Sequence, residues 1–173
     1  GTVDELATGS PVANAFESPG AMETLGDRLF VLNPQANPGV DEDDNMNPYN
    51  INPATGRLSS TGFIWGVGDG PVGIHAVGTF LYVGNQISAD ITAYRVSQAS
   101  DFLTALNGGV PYPAGEINPH SFADIVLSAN LEALYVATSN RIAGFFRDTT
   151  NGTLTTISGS PFSGFNSPGD LRR

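Results

Sequence analysis

A unit of about 50 residues recurs three times along this chain, and that periodicity limits the fold more than any other feature. The apolar triplets Leu29-Phe30-Val31, Leu81-Tyr82-Val83 and Leu134-Tyr135-Val136 stand 52 and 53 residues apart. Prolines that open each unit, at Pro19, Pro71, Pro119 and Pro168, follow in steps of 52, 48 and 49. A third marker is the turn Asn52-Pro53-Ala54-Thr55-Gly56-Arg57-Leu58, echoed by Asp148-Thr149-Thr150-Asn151-Gly152-Thr153-Leu154. In both, glycine supplies the positive φ of a tight turn. The fourth is Gly9-Ser10-Pro11 leading to Ser18-Pro19-Gly20, which returns as Gly159-Ser160-Pro161 leading to Ser167-Pro168-Gly169.

Within a unit the hydrophobic runs have strand length and are separated by turn residues, which predicts four short antiparallel strands per repeat. The second unit reads as strands over 72–77, 79–85, 90–96 and 103–106, the third over 121–128, 132–138, 141–147 and 154–158. Four strands every 50 residues predict an all-β chain, a β-propeller with about three four-stranded antiparallel blades. The blade-like units span 19–67, 68–116 and 117–166, with partial strands at 1–18 and 167–173, so that 1–173 forms a single propeller segment.

Composition agrees with strands and turns. The 173 residues include 21 Gly and 12 Pro, and only 14% are charged. No run approaches the roughly 20 apolar residues of a membrane-spanning helix, so no membrane insertion is expected. The net charge is −10 and all seven basic residues are arginine, adjacent only at Arg172-Arg173, which disfavours nucleic acid as a partner. Without cysteine there is no disulfide, thiolate metal site or cysteine nucleophile. No Gly-x-Ser-x-Gly elbow or phosphate loop is present, and the absence of lysine excludes lysine chemistry.

Pro71, Phe80-Leu81-Tyr82-Val83-Gly84-Asn85, the Thr55-Gly56-Arg57-Leu58 turn and Gly159-Ser160-Pro161-Phe162 resemble the YVTN-type repeats of the lactonase-like (6-phosphogluconolactonase-like) β-propeller family. The resemblance covers nearly the whole chain and implies a seven-bladed ring. Three blades alone cannot close, so the expectation is a section of a longer propeller, or copies that associate to complete a ring. The family includes sugar-lactone hydrolases, cycloisomerase-like proteins and surface proteins, so a fold-level likeness leaves the activity open.

Two histidines are the candidate catalytic residues. His120, in Asn118-Pro119-His120-Ser121-Phe122, opens the third unit's first strand, the strand that lines a propeller's central channel. Its Pro-His-Ser element is similar to one in lactonase-like propellers, where a histidine can act as general base toward water attacking a lactone carbonyl. A histidine that only hydrogen-bonds a neighbouring blade is the simpler reading. His75 sits in the equivalent strand of the second unit, and alternation places it opposite Ile74 and Ala76.

The run Asp41-Glu42-Asp43-Asp44-Asn45 reads as an insertion in an exposed loop. Asp41, Asp43, Asp44 and Asn45 offer the oxygen ligands calcium prefers, but Met46 replaces the glycine of an EF-hand loop and Asn52 its bidentate glutamate. A solvated charge run competes with calcium, and no other cofactor is required. Asn33, Asn85 and Asn140 follow the second strands and are expected either to line a channel mouth or to close turns. Asn151-Gly152-Thr153 matches a glycosylation sequon and also a hairpin turn. Tyr82, Tyr94, Tyr135, Phe145, Phe146 and Trp65 read as packing between blades.

Two functions follow as expectations. The first is an extracellular, periplasmic or cell-surface module that binds a protein partner or self-associates, suggested by the acidic surface and the incomplete catalytic set. The second is a lactone hydrolase or cycloisomerase working through a channel histidine.

Overall fold

The computed structural model describes residues 19–34, 44–97, 103–115, 124–137 and 141–163. His120, Asn140, Asp41 and Asp43 lie outside the described residues, as do the segments 1–18 and 167–173.

Each repeat forms one antiparallel sheet, and the three sheets follow one another as blades. The first contains β1 (Met22–Leu25), β2 (Arg28–Asn33), β3 (Asn45–Ile51), β4 (Leu58–Ser60) and β5 (Trp65–Gly66). The second contains β6 (Pro71–Val77), β7 (Phe80–Asn85), β8 (Asp90–Val96), β9 (Leu103–Ala105) and β10 (Tyr112–Pro113). The third contains β11 (Asp124–Leu127), β12 (Ala133–Ala137), β13 (Arg141–Arg147), β14 (Leu154–Thr156) and β15 (Phe162–Ser163). The apolar triplets mark the second strand of each sheet, where both faces are covered. Phe30, Leu81, Tyr82, Leu134 and Val136 are each at most 0% exposed.

One departure from four strands per blade recurs. The outer strand is split, and both pieces pair with the third strand: β4 and β5 with β3, β9 and β10 with β8, β14 and β15 with β13. In the first blade the break falls opposite Pro48, which has no N–H to give the ladder, and the hydroxyl of Thr61 donates to its carbonyl at 2.9 Å. In the third, the Ser160 hydroxyl accepts the N–H of Gly144 at 2.9 Å where the ladder is interrupted. Hydrogen bonding thus continues across each gap.

Blades pack face to face through two apolar layers. Phe30, Leu32 and Met46 of the first blade meet Ile74, Leu81, Val83 and Tyr94 of the second. Phe80, Tyr82 and Ile91 of the second meet Ile125, Leu134, Val136 and Phe145 of the third. Two sequence expectations change here. Phe146 is 57% exposed, because it points away from the layer that Phe145 fills. Asp44 and Asn45, expected in an exposed loop, are buried, and Asn45 begins β3.

Candidate functional site

The first strands β1, β6 and β11 lie side by side along the inner edge of the blades, and a cavity of about 370 Å³ runs across them. Its walls come from Ala21–Glu23, Val72–His75 and Asp124–Val126. Register explains which residues reach it. Met22 pairs with Val31, Ile74 with Val83 and Ile125 with Val136, so these three hold equivalent places in their blades. The next residue in each strand, Glu23, His75 and Val126, also shares one place, and the chemistry there varies from blade to blade. The alternation that put His75 opposite Ile74 holds: Ile74 enters the layer against the first blade, and His75 faces the cavity.

A bulge between Pro71 and Gly73 shifts the register at the start of β6 and leaves Val72 partly exposed in the cavity wall. Gly73 opens the wall further, since a Cβ there would stand 3.7 Å from the Ile125 side chain, an ordinary contact. The polar groups of the cavity are the imidazole of His75 and the carboxylates of Glu23 and Asp124. One oxygen of Asp124 accepts the N–H of Ile125 at 2.9 Å. Sequence reading missed Glu23 and Asp124, which look like ordinary surface charges in a chain of net charge −10. Counting back from the apolar triplet through the hairpin register would have placed both on the inner strand.

The asparagines serve a different purpose from a channel mouth. Asn33 Nδ2 donates to Asn45 Oδ1 at 3.0 Å and to Asn47 Oδ1 at 2.8 Å, with all three side chains buried. In the second blade Asn85 Nδ2 donates to Asp90 Oδ1 at 2.7 Å and to Thr92 Oγ1 at 2.9 Å. Both brackets join the end of the second strand to the start of the third, and neither asparagine reaches solvent, so neither lines an open mouth. Asn140 follows its triplet's leucine by six residues, against four for Asn33 and Asn85, and so stands outside the series.

Of the acidic run, the described members have structural partners. Asp44 Oδ2 accepts the N–H of Gly70 at 2.6 Å, which ties the start of β3 to the link between blades one and two. Asn45 Oδ1 is taken by Asn33. Among the described residues no three His, Asp or Glu side chains converge as a metal site.

Burial governs the titrating groups near the blade interfaces. Tyr82 is pushed up to about 12 by desolvation, partly offset by the Arg147 charge. Desolvation also raises Asp90, against the hydrogen bonds from Asn85 and Ser88. Asp148 is lowered, since its carboxylate accepts the backbone N–H groups of Thr150 and Asn151 at 2.7 and 3.1 Å.

Solved structures share this architecture. A functionally unknown protein from Desulfotomaculum acetoxidans superposes with a TM-score of 0.65 at 19% identity, over 81% of this chain and 41% of its own. A candidate 6-phosphogluconolactonase from Bacteroides fragilis gives 0.63 at 24% identity, over 80% and 40%. The periplasmic gluconolactonase of Pseudomonas aeruginosa gives 0.61 at 18% identity, over 80% and 39%. The chain therefore spans about two fifths of the length of these propellers. No curated protein matches the sequence. The family model described as "Lactonase, 7-bladed beta-propeller" matches residues 5–117, well over half of the chain. With that match, and with three blades repeating one register around a shared inner cavity, the chain belongs to the seven-bladed β-propeller lactonase family.

Proposed function

We propose that this chain supplies part of the active site of a sugar-lactone hydrolase, with His75 as the general base. The observation that carries the reading is the cavity along the inner strands of three consecutive blades, whose lining includes the imidazole of His75 and the carboxylates of Glu23 and Asp124. Membership of the lactonase family supports the hydrolase over the binding module expected first, at the level of the family.

The chemistry needs one proton moved twice. His75 takes a proton from water as its oxygen adds to the lactone carbonyl carbon, forming a tetrahedral oxyanion. Collapse of that intermediate breaks the bond to the ring oxygen, which receives the proton from the imidazolium and becomes the free hydroxyl of the product acid. The balance is one lactone and one water giving one hydroxy acid. Glu23 and Asp124 accept hydrogen bonds from the substrate's hydroxyls. A sugar ring fits the space, since small-ligand sites span about 300–1,000 Å³.

The test is hydrolysis of glucono-δ-lactone by the full-length gene product, corrected for spontaneous opening, with the His75→Gln and His120→Ala variants beside it. Loss of about 100-fold or more in kcat on His75→Gln supports the assignment. An unchanged rate in that variant overturns it, and saturable binding without turnover returns the cavity to a binding role.

A further inference from the structure

The dipeptide Asn-Gly occurs twice in the chain, at Asn107-Gly108 in the turn between β9 and β10 and at Asn151-Gly152 in the turn between β13 and β14. This pair is chemically labile, because a glycine has no Cβ to shield its main-chain nitrogen from the asparagine side chain before it. The glycine nitrogen forms a bond to Cγ as the bond from Cγ to Nδ2 breaks, and the glycine proton leaves with the amide as ammonia. Water then opens the cyclic imide at either carbonyl, giving aspartate or isoaspartate. The balance is one water consumed and one ammonia released. The attacking nitrogen must lose its proton, so a hydrogen bond from that N–H to a carbonyl slows the step.

The two turns differ at each point of this chemistry. Gly152 is buried against the second blade, where its N–H donates to the Asp148 carbonyl at 2.8 Å and its carbonyl accepts the Tyr82 hydroxyl at 2.7 Å. A Cβ at Gly152 would stand 2.3 Å from the Phe80 ring, so the backbone there has no room to turn. The Asn151 side chain is held as well. Its Nδ2 donates to Asp148 Oδ2 at 2.9 Å, and its Oδ1 accepts the Thr153 N–H and hydroxyl at 2.8 and 2.7 Å. Asn107, Gly108 and Gly109 are all exposed, in a turn closed by the Gly109 N–H on the Leu106 carbonyl and the Val110 N–H on the Asn107 carbonyl. Among the described residues no group accepts from the Gly108 N–H between them. A single bond holds the Asn107 side chain, from Nδ2 to the Val110 carbonyl at 2.9 Å, and water competes for both groups.

We infer that Asn107 is a modification site, converted spontaneously in the folded protein to aspartate and isoaspartate, and that the fold protects Asn151 from the same reaction. The product adds a negative charge to the turn, and its iso form adds a methylene to the main chain between β9 and β10. Neither turn lines the inner cavity, so the inference stands apart from the hydrolase reading.

The experiment incubates the full-length gene product at mildly alkaline pH, once folded and once in guanidinium chloride, and follows both asparagines by peptide mapping that separates aspartate from isoaspartate. In the folded protein Asn107 should convert faster than Asn151 by about tenfold or more, since attack at Asn151 must first break hydrogen bonds each worth roughly two- to tenfold in rate. In denaturant the two should convert at similar rates. Conversion of Asn151 as fast as Asn107 in the folded protein overturns the inference. So does a folded protein that keeps both intact while the denatured chain converts both. A preference for Asn107 that persists undiminished in denaturant overturns it too, because its cause would then lie in the neighbouring residues and not in the fold.

Discussion

The phenolic hydroxyl of Tyr82 donates a 2.7 Å hydrogen bond to the backbone carbonyl of Gly152, joining the second strand of one blade to a turn of the next across 70 positions. Tyr82 is fully buried, so this bond has no competition from water. Tyr82→Phe removes the donor and leaves the Gly152 carbonyl unsatisfied, which costs about 1–3 kcal/mol. The sign of the pH effect follows from the raised pKa. The unfolded chain ionises near 10.0 and the folded one at about 12, so the contribution is complete below 10 and is lost as pH rises toward 12. Tyr49, Tyr94 and Tyr112 are raised by burial as well and steepen the same decline. Urea midpoints measured from pH 9 to 12 should fall for the wild type and fall less for Tyr82→Phe.

Gly68 lies directly on the Asn85 bracket. A Cβ there would stand 2.5 Å from Asn85 Nδ2 and 2.7 Å from Ser88 Oγ, while its N–H already donates to Thr92 Oγ1 at 3.1 Å. Gly68→Ala therefore destabilises by about 1–3 kcal/mol, because Asn85 is fully buried and has nowhere to move. Shortening the obstacle with Asn85→Ser should recover part of that loss. A double-mutant cycle by chemical denaturation is expected to give a coupling of about 0.5 kcal/mol or more, and strict additivity would mean that Gly68 and Asn85 do not oppose one another as described.

The repeat was legible because it is written in residues that the fold buries. Leu29-Phe30-Val31 and its two echoes occupy the middle of second strands that are largely covered on both faces, so apolar residues run there without alternation. The split outer strand was not legible, since pieces of two or three residues carry no periodicity and the breaks fall opposite Pro48, Ala93 and Gly144, which share no residue type. Asp44 and Asn45 read as solvated because sequence shows their charge and polarity but not their partners, Gly70 and Asn33. His75 was found from its residue type. Glu23 and Asp124 were not, since only the register of three separate hairpins brings them to the same cavity.

Asp90 gives a prediction in acid. Burial raises its pKa above the 3.8 of the unfolded chain, so the folded state holds this proton longer. Stability from Asp90 is present below 3.8 and is lost as pH climbs through the folded value, after which the loss is constant. Asp90→Asn keeps an oxygen to accept from Asn85 Nδ2 and abolishes the charge. Its denaturation midpoint should match the wild type near pH 3, exceed it increasingly as pH climbs through the folded value, and keep a constant margin above that. Asp148 contributes the opposite slope in both proteins, being lowered, and cancels in the comparison. A variant that tracks the wild type at every pH would show that burial of Asp90 imposes no penalty.

Gly73 separates cavity from scaffold. Its backbone needs no positive φ, and a Cβ would meet Ile125 only at 3.7 and 3.9 Å, so Gly73→Ala is expected to fold with stability unchanged or raised by about 0.5 kcal/mol. The added methyl stands in the cavity wall beside His75. If a lactone occupies that space, the variant raises KM while the pH dependence of kcat, set by the proton-transfer group, keeps its shape. Larger side chains at the same position should raise KM further in order of volume. Unchanged kinetics across Ala, Val and Leu at position 73, with the thermal midpoint preserved, would place the substrate elsewhere in the propeller.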